Sequence, residues 1–276
     1  MSFFLCFSRS SRLALAALVA FLLAPALARA AQPSAQSSSQ PAATPQVPEW
    51  ALPGSPTHKQ VPPPKDFHRP TRTFMGKIGI FDAQSDIGGP LVPGSATFDP
   101  TTGQYTVNSA GYNIWYTRDE FRYLWKKMSG DISLAADVGF AVPENPPHDR
   151  KDVLVIRQSL DDDAQEIMVA EHGTGMVHLA IRPEKDTMMS DIEYRIGGSA
   201  TGPLMPKRIG IEKRGDSVAL FVSVNGEPMH QFGPPMQIHF TAPFYVGIGF
   251  CSHYPVTVDT GTFSKVLLKN AAGQVR

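Results

Sequence analysis

The sequence is poor in cysteine and carries no excess charge of either sign. Its 276 residues include two cysteines, Cys6 and Cys251, and its 25 basic residues balance 25 acidic ones. So few cysteines exclude a disulfide-stapled scaffold. The balanced charge offers no basic face or charge run, so we predict no nucleic-acid partner. The stability of the folded chain must therefore come from an apolar core.

Long apolar runs are also lacking, except for one at the N-terminus. Arg9 and Arg12 precede an apolar stretch over residues 13–27, and small residues of the kind that signal peptidase recognises follow it. The stretch is shorter than the roughly 20 residues of a membrane-spanning helix. We therefore predict a signal peptide over residues 1–30, export to the periplasm or the cell exterior, and no membrane insertion after cleavage. Cleavage leaves 22 basic residues against 25 acidic ones, a net charge of about −3.

Residues 31–73 are rich in proline, serine and glutamine. A segment of this composition buries too little apolar surface to offset its ordering entropy, so we predict a disordered linker. The remaining residues, 74–276, are predicted to form one domain of roughly 200 residues, which is large enough to bury a substantial core.

The predicted domain alternates short β-type runs with turn residues, beginning with a run over residues 75–81. Asn225-Gly226 between two apolar runs is the strongest hairpin signal, because both residues tolerate positive φ. Long segments with apolar residues spaced by three and four are absent, and only residues 117–123 are compatible with a short helical turn. We therefore predict an all-β fold in which two antiparallel sheets form a sandwich.

The stretch over residues 111–138 carries the first of several motifs found in a known family. The motifs occur in one order along the chain: Gly111-Tyr-Asn-Ile-Trp115, Asp119-Glu-Phe121, Ser129-Gly130-Asp131, Val153-Leu-Val-Ile-Arg157, Tyr245-Val-Gly-Ile248 with Ser252-His253, and Thr262-Phe263. This pattern resembles bacterial secreted domains of the concanavalin A-like lectin/glucanase superfamily, in particular the DUF1349-like group. The resemblance implies a curved jelly-roll sandwich and, by superfamily analogy, binding of a sugar polymer.

Glycoside hydrolysis requires two carboxyl groups that face each other across the scissile bond. Sandwich glucanases of this superfamily carry theirs as Glu-x-Asp-x-x-Glu, and that spacing does not occur here. The acidic cluster at residues 161–166 has the composition of a solvated turn. Glu171 and His172 are neighbours on a predicted strand, so their side chains point to opposite faces. These observations disfavour catalysis, and a glycoside hydrolase or lyase is kept as the alternative to a binding protein.

Metal sites have weak support in the sequence. The histidines of the domain show no ligand spacing such as H-x-x-x-H, so we predict no zinc site. We predict no cofactor, with one structural alternative: Asp82, Asp86 and Asp99 lie close together in sequence among turns and offer oxygen ligands for Ca²⁺. Ordinary turn chemistry is the competing interpretation of these three residues.

Cys251 lies two residues before His253, and side chains with this spacing on a strand share a face. A cysteine nucleophile with a histidine base is one interpretation of the pair. The apolar residues that precede Cys251 favour the other interpretation, a small core residue.

Sugar rings are bound by aromatic faces that are flanked by planar hydrogen-bonding groups. The side chains that could form such a surface are Trp115, Tyr123, Trp125, Arg157, Gln158, Tyr194, His253 and Tyr254. Arg157 is the most informative, because it follows four apolar residues and must face solvent, find a partner or line a cleft. Trp115 and Trp125 have a second interpretation, as core anchors of the sandwich.

These observations lead to one functional prediction and two alternatives. We predict an exported, non-catalytic module that binds an extended carbohydrate on its concave sheet. The first alternative is the glycoside hydrolase or lyase considered above. The second is an envelope protein-interaction domain, which would present a flat exposed apolar patch to a protein partner.

Overall fold

A computed structural model describes residues 67–141, 149–196 and 205–276. The predicted signal peptide and the predicted linker as far as residue 66 lie outside these residues. The described part of the chain consists of strands and connecting loops, with no helix. It accordingly contains no helix that is long and apolar enough to cross a membrane. The prediction of an all-β fold is confirmed.

Nineteen strands are formed by the described residues. In chain order they are β1 (Arg72–Ile78), β2 (Phe81–Ile87), β3 (Ser95–Asp99), β4 (Gln104–Ser109), β5 (Ile114–Trp115), β6 (Arg118–Asp119), β7 (Phe121–Met128), β8 (Ile132–Phe140), β9 (Lys151–Arg157), β10 (Glu166–His172), β11 (Met176–Arg182), β12 (Ser190–Arg195), β13 (Arg208–Arg214), β14 (Ser217–Ser223), β15 (His230–Gln231), β16 (Met236–Gln237), β17 (Phe244–Cys251), β18 (Asp259–Asn270) and β19 (Gly273–Gln274).

Two large antiparallel sheets make up the predicted jelly-roll sandwich. The first has the order β1-β2-β7-β17-β9-β10-β11-β12, and the second has the order β15-β14-β13-β8-β18-β4-β3 with β16 beside β14 and β19 beside β18. Six neighbouring pairs join strands that are distant in sequence, namely β2-β7, β7-β17, β17-β9, β13-β8, β8-β18 and β18-β4, which is why the order could not be derived from hairpin signals alone. The apolar side chains of the two facing surfaces form the main core, which includes Leu124, Leu154, Val169, Leu134 and Phe263.

The three strands β9, β10 and β11 are buried along their whole length. A sandwich sheet with one face in water would alternate buried and exposed residues. The first sheet is therefore covered on both faces at these three strands. We call the face turned away from the second sheet the outer face; it carries a second apolar cluster that includes Tyr123, Val155 and Met168.

A short hairpin made of β5 and β6 covers this outer face. Its two-residue turn begins with Tyr116, which has a φ of 56°. Backbone hydrogen bonds fix the hairpin at both sides, from Asp119 N–H to the Asp162 carbonyl (2.8 Å) and from Met189 N–H to the Tyr116 carbonyl (2.9 Å). The expectation of a helical turn over residues 117–123 is therefore wrong, because β6 pairs with β5 and residues 121–123 belong to β7, which pairs with β2 and β17.

The N-terminal edge of the domain differs from the prediction. Residues 75–81 do not form one strand: β1 ends at Ile78, Gly79 turns with a φ of 54°, and β2 begins. Only glycine fits at this turn, because a Cβ on Gly79 would lie 1.9 Å from the Tyr105 hydroxyl. Strand β1 itself begins at Arg72, within the stretch assigned to the linker. The Phe67 ring also packs against the domain, 4.6 Å from the Arg118 guanidinium.

The Asn225-Gly226 hairpin forms with a longer connection than the two residues suggest. Strand β14 pairs with β15 through Val222 and His230, and Gly226 adopts a φ of 91°. The Glu227 carboxylate organises the loop by accepting the backbone N–H of Asn225 at 2.8 Å and the preceding N–H at 2.6 Å. The hairpin prediction is confirmed, with a loop closed by a side chain.

Candidate functional site

One end of the outer face, where Arg157 ends β9, Glu166 begins β10 and Arg182 ends β11, is filled by a buried ion cluster. We call it the buried ion cluster; its members are Asp119, Arg157, Glu166 and Arg182. All four have almost no exposed surface. Arg157 donates to Asp119 at 2.7 Å and to Glu166, and Arg182 forms two bonds of 2.7 Å with Asp119. Asp119 reaches the sheet because the β5–β6 hairpin carries it there.

Burial sets the protonation of this cluster. Burial alone would raise the pKa of Asp119, but Arg182 and Arg157 outweigh it and hold that pKa below its ordinary value. Burial raises the pKa of Glu166 to about 8 despite the same two guanidiniums. The pKa values of the two carboxyl groups are therefore shifted in opposite directions, and Asp119 is the more firmly ionised member.

Three predicted ligand contacts are parts of this covered surface. Arg157 and Tyr123 have no exposed surface, and Trp125 is 5% exposed. The Tyr123 hydroxyl donates to the Val155 carbonyl (3.1 Å), and the Trp125 indole N–H donates to the Ser85 hydroxyl (2.9 Å). These side chains do not form an open ligand surface, because their polar atoms already bond within the domain.

Three further predicted residues lie away from one another. Gln158 binds the backbone of Thr241 through both ends of its amide, at 2.9 and 2.8 Å. Tyr194 points into the main core and meets the Phe232 ring edge-on at 4.9 Å. Tyr254 is half-buried in the loop after β17, where its backbone bonds the Ser252 hydroxyl. The structure does not bring these three into one site.

The remaining two predicted residues, Trp115 and His253, line a cavity of about 110 Å³ at the other end of the outer face. We call it the histidine cavity. Its lining is mostly polar and comprises Asn113, Trp115, Asp149, Lys151, His172, Met176, His178, Asp191, Glu193 and His253. This volume holds several water molecules or one end of a small ligand.

Two histidines meet in the wall of the cavity. The Nε2 atoms of His172 and His178 lie 3.3 Å apart, and the ring planes are inclined at 81°. His178 Nδ1 lies 2.8 Å from the Asp191 carboxylate, and His172 Nδ1 lies 3.4 Å from the Asp149 carboxylate. The four side chains thus form a chain of acid, imidazole, imidazole and acid.

One hairpin brings these histidines together. His172 ends β10 and His178 lies on β11, on the far side of a turn that begins after His172. In the register of this hairpin His178 is opposite Ala170, which places both histidines on the outer face as diagonal neighbours. The signal was present in the sequence as two histidines either side of a glycine-containing turn. A search for helical ligand spacing missed it.

Charged and aromatic groups surround the histidine pair. The Trp115 ring stacks on His178, with centroids 5.9 Å apart and an angle of 21° between the planes. The Lys151 ammonium donates to the side-chain oxygen of Asn113 and lies 6.0 Å from the Trp115 ring centre. Burial lowers the pKa of Lys151 and of both histidines. The hydrogen bond to His172 is the largest influence on Asp149 and lowers its pKa.

The three aspartates considered for Ca²⁺ do not converge. Asp82 pairs with Lys126 at 2.6 Å, and Asp86 lies between Arg122 and Arg72. Asp99, on the other sheet, accepts hydrogen bonds from its own turn, including the Thr101 N–H at 2.8 Å. The Ca²⁺ alternative is therefore wrong for this set, because separate partners hold the three carboxylates apart.

Another group with metal-ligand atoms lies near the start of the domain. His68, Asp162 and Asp163 bring one such atom each within 4.8 Å of one another. Cations of the protein already occupy this neighbourhood, since Arg118 lies 4.0 Å from Asp162 and Lys185 lies 3.4 Å from Asp163. These ion pairs account for the acidic residues of the group.

Cys251 is a core residue. It has no exposed surface, its thiol donates to the Gly111 carbonyl at 3.3 Å, and burial raises its pKa to about 12. His253 reaches the sulfur through its backbone N–H at 3.4 Å, while its ring stacks on Tyr112. The nucleophile interpretation is therefore not supported, because this thiol is protonated and sealed from solvent.

Comparison with known proteins gives distant structural likenesses. No family model matches the chain, and no curated protein does. A protein of unknown function from Saccharomyces cerevisiae is 14% identical, with a TM-score of 0.47, over 65% of this chain and 93% of that one. The carbohydrate-binding module CBM66 from Bacillus subtilis is 13% identical, with a TM-score of 0.41, over 64% and 92%. An alginate lyase from Klebsiella pneumoniae is 13% identical, with a TM-score of 0.38, over 64% and 84%. The resemblance to the DUF1349-like group stays a prediction.

Proposed function

We propose that this chain is an exported module that binds a carbohydrate without cleaving it, and that the sugar enters the histidine cavity. The observation that carries the proposal is the indole of Trp115, partly exposed and set among polar groups. A sugar ring has an apolar face that packs on an aromatic ring and a polar rim that needs hydrogen-bonding partners. The cavity offers both.

The Trp115 ring is held in place before any ligand arrives. It stacks on His178, and its backbone pairs with Arg118 across the β5–β6 hairpin. A contact surface that is already ordered loses less entropy on binding. Around it, Asp149 and Glu193 present carboxylates to sugar hydroxyls, which are good donors to such acceptors.

The shape of the outer face favours one end of a glycan over an extended chain. The buried ion cluster fills one end of the face, and the β5–β6 hairpin covers the apolar cluster beside it, where we predicted a trough. The cavity that remains is small. We therefore propose that the module binds a terminal sugar or a short branch.

The arrangement of carboxyl groups supports binding over hydrolysis. Asp119 and Glu166 are close, but both are buried beneath guanidinium groups and do not face a groove. In the cavity, Asp149 and Asp191 are each hydrogen-bonded to a histidine. A glycosidase needs two carboxyl groups that reach the scissile bond from opposite sides. The envelope protein-interaction alternative stays a prediction.

A glycan array with the full chain tests the proposal, followed by titration of the best ligand against variants. Trp115→Ala should weaken binding by about tenfold or more, the scale of losing one good aromatic contact. Tyr245→Ala is the matched control, because Tyr245 lies on the same sheet and outside the cavity. An array without any bound glycan would contradict the function, and a loss confined to Tyr245→Ala would move the site to the middle of the sheet.

A further inference from the structure

The separation of the two histidine nitrogens in the histidine cavity matches a metal site. The Nε2 atoms of His172 and His178 lie 3.3 Å apart. Two imidazole nitrogens bound at about 2.0–2.1 Å to one tetrahedral ion lie about 3.3–3.4 Å apart. We propose that His172 and His178 bind one divalent transition-metal ion of the kind that prefers imidazole nitrogen, with Zn²⁺ as its representative. This inference does not depend on sugar binding.

The carboxylates behind the histidines fix the tautomer that a metal requires. Asp191 lies 2.8 Å from His178 Nδ1, and Asp149 lies 3.4 Å from His172 Nδ1. An ionised carboxylate only accepts hydrogen bonds, so each Nδ1 carries the hydrogen. Both Nε2 atoms then present lone pairs to each other, an arrangement that a shared proton or metal ion stabilises. Histidine ligands of metals are typically oriented by a carboxylate on the other ring nitrogen, as both are here.

The charge around the pair also favours a cation. Asp149, Asp191 and Glu193 line the cavity. Lys151 is the opposing charge, and its ammonium bonds the side-chain oxygen of Asn113 and lies 3.5 Å from the Ile114 carbonyl. Carboxylates around two imidazoles give a net attraction for a divalent ion.

The ligand set separates the classes of ion. Imidazole nitrogen suits Zn²⁺, Cu²⁺ and related ions, whereas Ca²⁺ and Mg²⁺ take oxygen ligands. Two histidines leave the other coordination positions for water or a small ligand from the cavity.

Calorimetric titration of the chelator-treated full chain with Zn²⁺ tests the site. We expect one ion per chain. His172→Gln and His178→Gln should each lower the affinity for Zn²⁺ by about 100-fold or more, because removing only the hydrogen-bond partner of a histidine ligand already lowers metal affinity roughly 10–100-fold. His239→Gln is the matched control, since His239 is exposed and also pairs with an aspartate. It should leave the affinity unchanged, and Ca²⁺ should not compete.

A second measurement keeps the proposal falsifiable if a variant folds poorly. Co²⁺ bound to the wild-type chain should give the visible absorption bands of a tetrahedral site, and Zn²⁺ should displace it. Uptake of no ion by the wild-type chain would overturn the proposal. Undiminished binding in both folded histidine variants would overturn it as well. Trp115→Ala separates the two proposals, because it should impair sugar binding and leave Zn²⁺ bound.

Discussion

Arg182 and Asp119 form two parallel hydrogen bonds of 2.7 Å, from Nη2 to Oδ1 and from Nη1 to Oδ2. Both side chains are buried, and Arg157 shares the second carboxylate oxygen at 2.7 Å. Asp119 belongs to the covering hairpin, while both arginines belong to the sheet. The ion pair therefore fastens the covering hairpin to the outer face and closes one end of the predicted trough.

Removal of this carboxylate should strongly destabilise the domain. Asp119→Ala leaves two guanidiniums buried with too little opposing charge, which typically costs about 3–5 kcal/mol in the free energy of unfolding. Urea unfolding of the wild-type and variant chains measures the difference. Lys185→Gln is the control, because its pair with Asp161 is largely exposed and contributes roughly 0–1 kcal/mol. Equal changes in the free energy of unfolding for the two substitutions would show that the buried ion cluster does not hold the β5–β6 hairpin on the sheet.

A buried acid pair should make the domain less stable as the pH rises. Asp152 and Glu171 lie opposite each other on β9 and β10, and burial raises the pKa of both carboxyls. The unfolded chain releases these protons near pH 4, whereas the folded chain retains them. At pH values above about 4 and below the raised pKa values of the folded chain, the folded state binds more protons than the unfolded state. The free energy of unfolding therefore falls as the pH rises through this range.

Glu171→Gln tests this pH dependence. The variant should lose part of the decline in unfolding free energy between pH 5 and pH 8 that the wild-type chain shows, since an amide has no proton to release. Urea midpoints at several pH values measure it, with Glu184→Gln as the control at an exposed position. A decline of the same size in the Glu171→Gln chain would argue against the acid pair as its source.

The buried thiol should be unreactive in the folded domain. Burial raises the pKa of Cys251 to about 12, and the thiolate is the reactive form. In a Cys6→Ser chain, where Cys251 is the remaining thiol, a disulfide reagent at pH 8 should label the folded protein at a rate set by unfolding. Labelling in urea should be fast. Rapid modification without denaturant would restore the nucleophile interpretation.

The local pattern of this sequence was a reliable guide to its strands and a poor guide to its surfaces. Short β-type runs between turn residues predicted the all-β fold, and Asn225-Gly226 predicted a hairpin that forms. Arg157 was recognised as a charge that needs a partner, a cleft or solvent. The structure gives it partners, Asp119 and Glu166, which are 38 and 9 residues away in the chain. No local signal identifies a partner at such distances, because the order and register of the strands decide which side chains come into contact.

Neighbouring residues were enough to predict an all-β chain, its main turns and a core without disulfides, because alternation and turn chemistry are local properties. The closure of the outer face by the β5–β6 hairpin, and the approach of His172 to His178 beside Trp115, arise only in the folded domain. Those relationships depend on the register of paired strands and on a covering segment. Register is a property of the packed sheets, since one residue of slip would turn every side chain of a strand to the opposite face.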